Sequence, residues 1–210
     1  MTRGIFVTGT DTDVGKTIAS AALVLALDAA YWKPVQSGTD DLPDGDSGTV
    51  AHLAALPPER ILAPRHAFAA PLSPDQAAAL EGRTIALADF TLPPCDRPLV
   101  VEGAGGVLVP LNDDALMIDL MERLNLPVVV VARSGLGTIN HTLLTLAALR
   151  NRGLTVAGVV LIGPDKPRNR AAIAHFGAVR IIGQIPPLTP LTPQTLGDAA
   201  LDLDIKGLLP

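Results

Sequence analysis

Apolar runs and helical stretches alternate along this chain from its first residues. Ile5-Phe6-Val7 opens the pattern, and apolar runs recur at Tyr31 to Val35, Pro98 to Val101, Pro127 to Ala132, Val156 to Ile162 and Arg180 to Ile185. The 127–132 run is nearly all valine without alternation, which predicts a strand covered on both faces. Between these runs the pattern predicts helices over about 17–29, 47–56, 115–124, 138–151 and 168–176. The 138–151 segment carries the fullest signal. Thr138 can cap its start, Leu143, Leu144, Ala147 and Ala148 stripe one face, Arg150 and Arg152 stand near its end, and Gly153 stops it. Strand alternating with helix predicts an α/β fold, a doubly wound and mainly parallel sheet with helices on both faces. Residues 36–46 and 57–75, rich in Pro, Gly and Asp, read as loops. The proline-rich tail 186–197 reads as an extended or turning segment. No internal repeat or low-complexity linker interrupts the chain, so 1–210 reads as a single domain.

Composition narrows the picture. Hydrophobic residues make up 48% but aromatics only 3%, so the core must be built of Ala, Leu, Val and Ile. A net charge of −5 argues against a broad nucleic-acid surface, while leaving room for a nucleotide held by a local positive site. One cysteine, Cys95, excludes an internal disulfide and a cysteine-cluster metal site, as expected of a cytoplasmic protein. No secretory leader is expected ahead of the first strand. No apolar run reaches the roughly 20 residues of a membrane helix, so no membrane partner is expected.

The chemistry is concentrated at Thr8-Gly9-Thr10-Asp11-Thr12-Asp13-Val14-Gly15-Lys16-Thr17. An apolar strand precedes it and an Ala-rich apolar helix follows, which makes it a phosphate-binding loop of the P-loop NTPase type. Amides of the loop and helix start face the anion, Lys16 reaches the outer phosphates, and Thr17 offers a hydroxyl to Mg²⁺. Five residues separate Gly9 from Gly15 where the common motif has four, so Thr10 stands where a glycine is usual. A second element, Val100-Val101-Glu102-Gly103-Ala104-Gly105-Gly106, ends an apolar strand in one carboxylate followed by small residues. Glu102 is placed to reach a metal beside Thr17. In a third, Lys33-Pro34-Val35-Gln36-Ser37-Gly38, Lys33 ends a strand and can stabilise negative charge on a substrate or a transferring phosphoryl group. Asp44 and Asp46 lie at the start of the next helix, and the residues alone leave open which of them faces the metal. His52, His66 and His175 have no metal-ligand spacing and read as structural or solvated. Leu136 to His141 forms a helix start able to bind an anion through its amides.

Taken together, Gly9 to Thr17, Lys33 to Gly38, Glu102 to Gly106, Leu136 to His141 and Gly183-Gln184-Ile185-Pro186 resemble the dethiobiotin synthetase family. They stand in the family's order along nearly the whole length, and the family shares the longer loop spacing. The resemblance implies a cytoplasmic, ATP-dependent carboxylase and ligase of biotin biosynthesis. Its substrates are 7,8-diaminopelargonate, CO₂ or bicarbonate, and a nucleoside triphosphate, with Mg²⁺ as cofactor. It implies Lys16, Lys33 and Thr12 as catalytic residues. Asp11, Thr12, Asp13, Val14, Gly15, Lys16 and Thr17, with Gly163, Pro186 and Pro187, would bind nucleotide. Thr17, Asp46 and Glu102 would hold the metal, the resemblance favouring Asp46 over Asp44. Thr12, Lys33, Ser37 and Gly105 would contact substrate. A homodimer is implied, with Gly137, Thr138 and Asn140 of the partner subunit receiving the substrate's carboxylate. Two departures stand out. Val160-Leu161-Ile162-Gly163-Pro164 lacks the Asn-Asp that reads adenine in many relatives, and the link from the first helix to Lys33 is short. Three rivals fit less well. A ParA/MinD-like ATPase would carry a signature lysine five residues before Lys16, where Asp11 stands. An amidotransferase-type cobyrinate synthetase would need a glutaminase domain, and Cys95 has no nucleophile motif around it. A simple nucleotide-binding module leaves Lys33, Ser37 and Glu102 unexplained.

Overall fold

A computed structural model describes residues 3–209. In chain order its elements are β1 (Gly4–Gly9), α1 (Lys16–Leu27), β2 (Ala30–Trp32), β3 (Val35–Gln36), α2 (Gly45–Leu53), β4 (Ile61–Leu62), β5 (His66–Ala67), α3 (Pro74–Leu80), β6 (Leu99–Gly106), α4 (Met117–Leu124), β7 (Val128–Arg133), α5 (Thr138–Asn151), β8 (Val156–Ile162), α6 (Pro167–Gly177), β9 (Ile181–Ile185) and α7 (Pro193–Ala200). Seven strands form one parallel sheet in the order β4-β2-β6-β1-β7-β8-β9, and β3 pairs with β5 in a small second sheet. The expected α/β architecture is therefore present. Its connections position the site. From β1 the chain runs to β2 on one side, whereas from β6 it crosses β1 to reach β7. Such a reversal opens a crevice at the carboxyl ends of the strands, where ligands bind in sheets of this kind.

Alternation along the strands divides the core into two layers. Phe6, Leu99, Val101, Val128 and Val130 pack with α4 and α5 residues such as Leu120, Met121, Leu146 and Leu149 on one face. Ile5, Val7, Val100, Val129 and Val131 pack with Ala19, Ala22, Leu23 and Val24 of α1 and Leu196 of α7 on the other. The alanines of α1 let the helix lie close on the sheet, which suits a chain with few aromatic side chains. No helix among the described residues is long and apolar enough to cross a membrane.

The structure departs from the sequence expectations in three places. The 186–197 segment is not extended throughout, because α7 begins inside it. Thr192 caps that helix by accepting from the Thr195 amide at 3.2 Å, with Pro193 in its first turn. Proline there is a helix starter, since the first-turn amides have no intrahelical partner. The 57–75 region holds β4, β5 and the start of α3. Finally, β6 continues through Glu102 to Gly106, and β2 stops at Trp32, ahead of Lys33 and Pro34.

Candidate active site

The loop after β1 turns sharply at Gly15, whose φ of 89° lies in the left-handed region. A Cβ there would also sit 3.0 Å from Ile162 Cγ2, so a side chain is disfavoured by both torsion and space. Gly15 is the N-cap of α1, and the first turn of that helix opens onto a cavity of about 850 Å³. Thr12, Asp13, Gly15, Lys16 and Thr17 line the cavity from the loop side. Lys33 just after β2, Gln36 and Ser37 at the end of β3, Asp46 of α2, and Glu102 and Gly105 of β6 line it from the other side. Its outer wall is built from two loops. The amides of Gly38, Thr39 and Asp40 donate to the carbonyls of Ala70, Phe68 and Ala69, and Pro71 to Pro74 complete the rim.

Five side chains form one connected network at the cavity floor. Thr17 Oγ1 lies 2.8 Å from Asp46 Oδ1 and 3.2 Å from Glu102 Oε1. Lys33 Nζ donates to Glu102 Oε1 at 3.1 Å and forms an ion pair with Asp46 Oδ2. Tyr31 Oη donates to the second Glu102 oxygen, Oε2, at 3.0 Å. Glu102 and Tyr31 are fully buried and Lys33 nearly so. Gln36 Oε1 accepts from the Asp46 amide at 3.0 Å, and its Nε2 donates to the Ser37 carbonyl at 2.7 Å. That arrangement needs Gly45 at φ 58°, because a Cβ there would fall 2.6 Å from Gln36 Oε1.

The charges follow from these contacts. Burial pulls the Lys33 ammonium toward its neutral form, but the charges and hydrogen bonds of Glu102 and Asp46 outweigh it, and its pKa is raised. Burial likewise opposes the Asp46 carboxylate, and Lys33, Thr17 and Gln36 overcome it to hold the pKa below the ordinary value. Lys16 is different. Burial first, then the Lys33 charge, lower its pKa, and the ammonium rests on its own loop by donating to the Asp11 carbonyl at 3.0 Å. A lysine held by one carbonyl and disfavoured by burial is primed for an incoming anion. Burial and the neighbouring carboxylates keep the Tyr31 phenol protonated.

The Thr17 hydroxyl stands beside one oxygen of Asp46 and one of Glu102, and a hydroxyl with two carboxylates is the donor chemistry of a hard divalent cation. No cluster of three His, Cys, Asp or Glu occurs among the described residues. A two-carboxylate, one-hydroxyl set fits Mg²⁺, which keeps waters and takes substrate phosphate oxygens to complete its shell.

The structure thus brings together Thr12, Asp13, Gly15, Lys16, Thr17, Lys33, Ser37, Asp46, Glu102 and Gly105. It also places Asp46, not Asp44, at Thr17. Asp44 is the N-cap of α2, which begins at Gly45, two positions before the start expected at residue 47. Val14 is buried in the core beneath the loop. Asp11 faces a second cavity of about 360 Å³, with Thr10, Leu108, His141 and Leu144, and pairs with Arg133 at 3.4 Å. Gly137, Thr138 and Asn140 stand at the start of α5, outside the main cavity. Gly163 and Pro186 follow β8 and β9. Both polar groups of Gly163 are engaged, its amide with the Ile185 carbonyl at 2.9 Å and its carbonyl with Gln184 Nε2 at 3.0 Å. Of the histidines, His66 is structural: its Nε2 lies 3.0 Å from Asp89 Oδ2 and its ring stacks on Phe68. Tyr31 and Gln36 are the site residues that sequence reasoning passed over. A phenol two places before Lys33 in an otherwise apolar strand was the available signal.

Known proteins resemble this chain over most of its length. A family profile described as an AAA domain matches residues 3–195. The ATP-dependent dethiobiotin synthetase BioD of Paramagnetospirillum magneticum is 56% identical over 195 residues, covering 92% of this chain and 93% of the relative. The biotin biosynthesis bifunctional protein BioCD of Bordetella avium is also 56% identical, over 206 residues; the match covers 98% of this chain but 43% of that longer relative. Among solved structures, the cell division ATPase MinD of Pyrococcus furiosus aligns with a TM-score of 0.58 at 15% identity, covering 96% of each chain. That likeness shows the P-loop NTPase fold alone. The high identity across nearly the full length of a dethiobiotin synthetase decides the matter: this chain belongs to the dethiobiotin synthetase family.

Proposed function

We propose that this chain carries out the family's reaction, the ATP-dependent closure of a ureido ring on 7,8-diaminopelargonate with CO₂, giving dethiobiotin, ADP and phosphate. The observation that carries this reading is the single network of Lys33, Asp46, Glu102 and Thr17 beside the phosphate loop. One amine of the substrate adds to CO₂ and loses a proton, giving a carbamate. A carbamate oxygen attacks the γ-phosphorus, and the bond to the ADP oxygen breaks. The second amine then attacks the carbonyl carbon of this carbamic–phosphoric anhydride. The C–O bond to phosphate breaks, a proton leaves, and the ring is closed.

The chain's own residues meet the electrostatic demand of joining two anions. Lys16 is set to follow the β- and γ-phosphates. Lys33 keeps its proton in the site and offers a fixed positive charge between carbamate and phosphate. Thr12, Ser37 and Gly105 border the cavity where the diamine would lie. Thr17, Asp46 and Glu102 would hold Mg²⁺, which supplies charge neutralisation on the phosphate oxygens when bound. Nucleotide would lie along residues 11–17 and toward Gly163, Pro186 and Pro187. In a homodimer, Gly137, Thr138 and Asn140 of the partner subunit would present a helix start to the substrate's carboxylate.

The path of oxygen tests the mechanism. With ¹⁸O-labelled CO₂ supplied faster than it exchanges with water, the released phosphate should carry one labelled oxygen. Unlabelled phosphate formed together with product would contradict the anhydride.

A further inference from the structure

Glu102 is held on both oxygens, and the residue holding the second one has no place in the reaction described above. Tyr31 pairs with Val100 in the register of β2 and β6. Glu102 lies two residues beyond Val100, so its side chain emerges on the same face of the sheet as Tyr31. The Tyr31 ring is buried in the apolar layer with α1, Val100 and Val129, and its hydroxyl reaches along the strand to Glu102 Oε2 at 3.0 Å. Glu102 Oε1 is the oxygen shared by Thr17 and Lys33. With one oxygen fixed from behind, the carboxylate plane has a single orientation.

We propose that Tyr31 is a positioning residue for the metal shell, anchoring Glu102 Oε2 so that Oε1 faces the point where Thr17 and Asp46 converge. The inference rests on the reading of Glu102 as a metal ligand. Partners that orient a ligating carboxylate typically carry about a 10–100-fold effect on metal affinity, although they do not touch the metal. Lys33 does not substitute for the phenol, because its ammonium binds the opposite oxygen and also Asp46.

The test uses Mn²⁺ as the probe, with ADP present, and free Mn²⁺ read by electron paramagnetic resonance. Four proteins are compared: wild type, Tyr31→Phe, Glu102→Gln and the double variant. Tyr31→Phe keeps the ring and loses only the hydroxyl. It should raise the Mn²⁺ Kd about tenfold, and leave metal-free ADP affinity, measured by calorimetry in EDTA, within twofold of wild type. In the Glu102→Gln background the same change should add less than twofold, since its target is gone. Tyr31→Leu, which also loses the ring, should weaken Mn²⁺ no more than Tyr31→Phe does. Thermal unfolding in EDTA identifies any variant that is not folded. Mn²⁺ affinity unchanged in Tyr31→Phe but weakened in Glu102→Gln would overturn the proposal, and so would equal effects of Tyr31→Phe in both backgrounds. Unchanged affinity in Glu102→Gln would instead remove Glu102 from the metal shell, and the parent reading with it.

Discussion

Replacing Lys33 by methionine removes the ammonium paired with both Asp46 and Glu102 while keeping most of the side chain's volume. In the native protein the ammonium contacts Asp46 and Glu102, and Glu102 has no exposed surface. Without it Glu102 keeps hydrogen bonds from Thr17 and Tyr31 but loses its direct ion pair. Removing one partner of a buried pair costs about 3–5 kcal/mol. Asp46 retains 27% side-chain exposure, so water relieves part of the strain, and the lower end of that range, about 3 kcal/mol, applies. For a chain of this length each kcal/mol moves Tm by about 2–4 °C. Lys33→Met should therefore melt about 6–12 °C lower in EDTA at neutral pH. The sign with pH is fixed by the shift. A pKa raised in the folded state contributes stability that is fully present below the unfolded value, about 10.4, and is lost as pH rises through the folded value. The gap between wild type and Lys33→Met should therefore persist from neutral pH upward and close only in strong alkali. It should also shrink in acid as Asp46, whose pKa is lowered on folding, takes its proton. Mg²⁺ should stabilise the variant more than the wild type, because in the wild type the ion meets oxygens already paired with Lys33. Differential scanning fluorimetry in EDTA and in Mg²⁺ measures both effects. A Tm within 2 °C of wild type in EDTA would show that the Lys33 pairs contribute little and would refute the reasoning.

Three further outcomes are expected. Lys16→Ala should abolish ring closure yet melt no lower than wild type without ligand, since burial already disfavours this ammonium; a large drop in Tm would mark a structural lysine. Asp46 has its pKa lowered on folding, so it contributes stability above the unfolded value of about 3.9 that is lost as pH falls through the folded value. Asp46→Asn should flatten the acid limb of Tm against pH in that window, and an unchanged limb would deny the coupling to Lys33. Lastly, Ile162, Gly163 and Pro164 carry no side-chain amide of their own, and both polar groups of Gly163 are engaged, its amide by the Ile185 carbonyl and its carbonyl by the Gln184 side chain. ATP should therefore be favoured over CTP and GTP by less than tenfold in kcat/KM, and steady-state kinetics with the three nucleotides would show a larger preference if the base is read elsewhere.

What could be read in the sequence was whatever is local in the chain. The loop from Gly9 to Thr17 announces itself by the strand before it and the helix after it. Val128 to Val131 announce a two-sided strand by the absence of alternation. Asp46 was not separable from Asp44 because both belong to one helix start, and the choice is made by Gln36, ten residues earlier, gripping the Asp46 amide. Tyr31 was missed for a similar reason. Its value comes from a hydrogen bond to Glu102, 71 positions away, made possible by the pairing of β2 with β6, and nothing in the local pattern records that. The prolines of the tail misled because proline ends one element and begins another according to its place in the turn, as at Pro193.

The central claim is that the Lys16, Lys33, Asp46 and Glu102 site couples ATP cleavage to closure of a ring on a diamine. The direct measurement is phosphate release from ATP with Mg²⁺ and bicarbonate, with and without 7,8-diaminopelargonate, and mass spectrometry of the product. Release that depends on the diamine, one phosphate per dethiobiotin formed, is the expected result. Hydrolysis indifferent to the diamine, with no dethiobiotin, would contradict it.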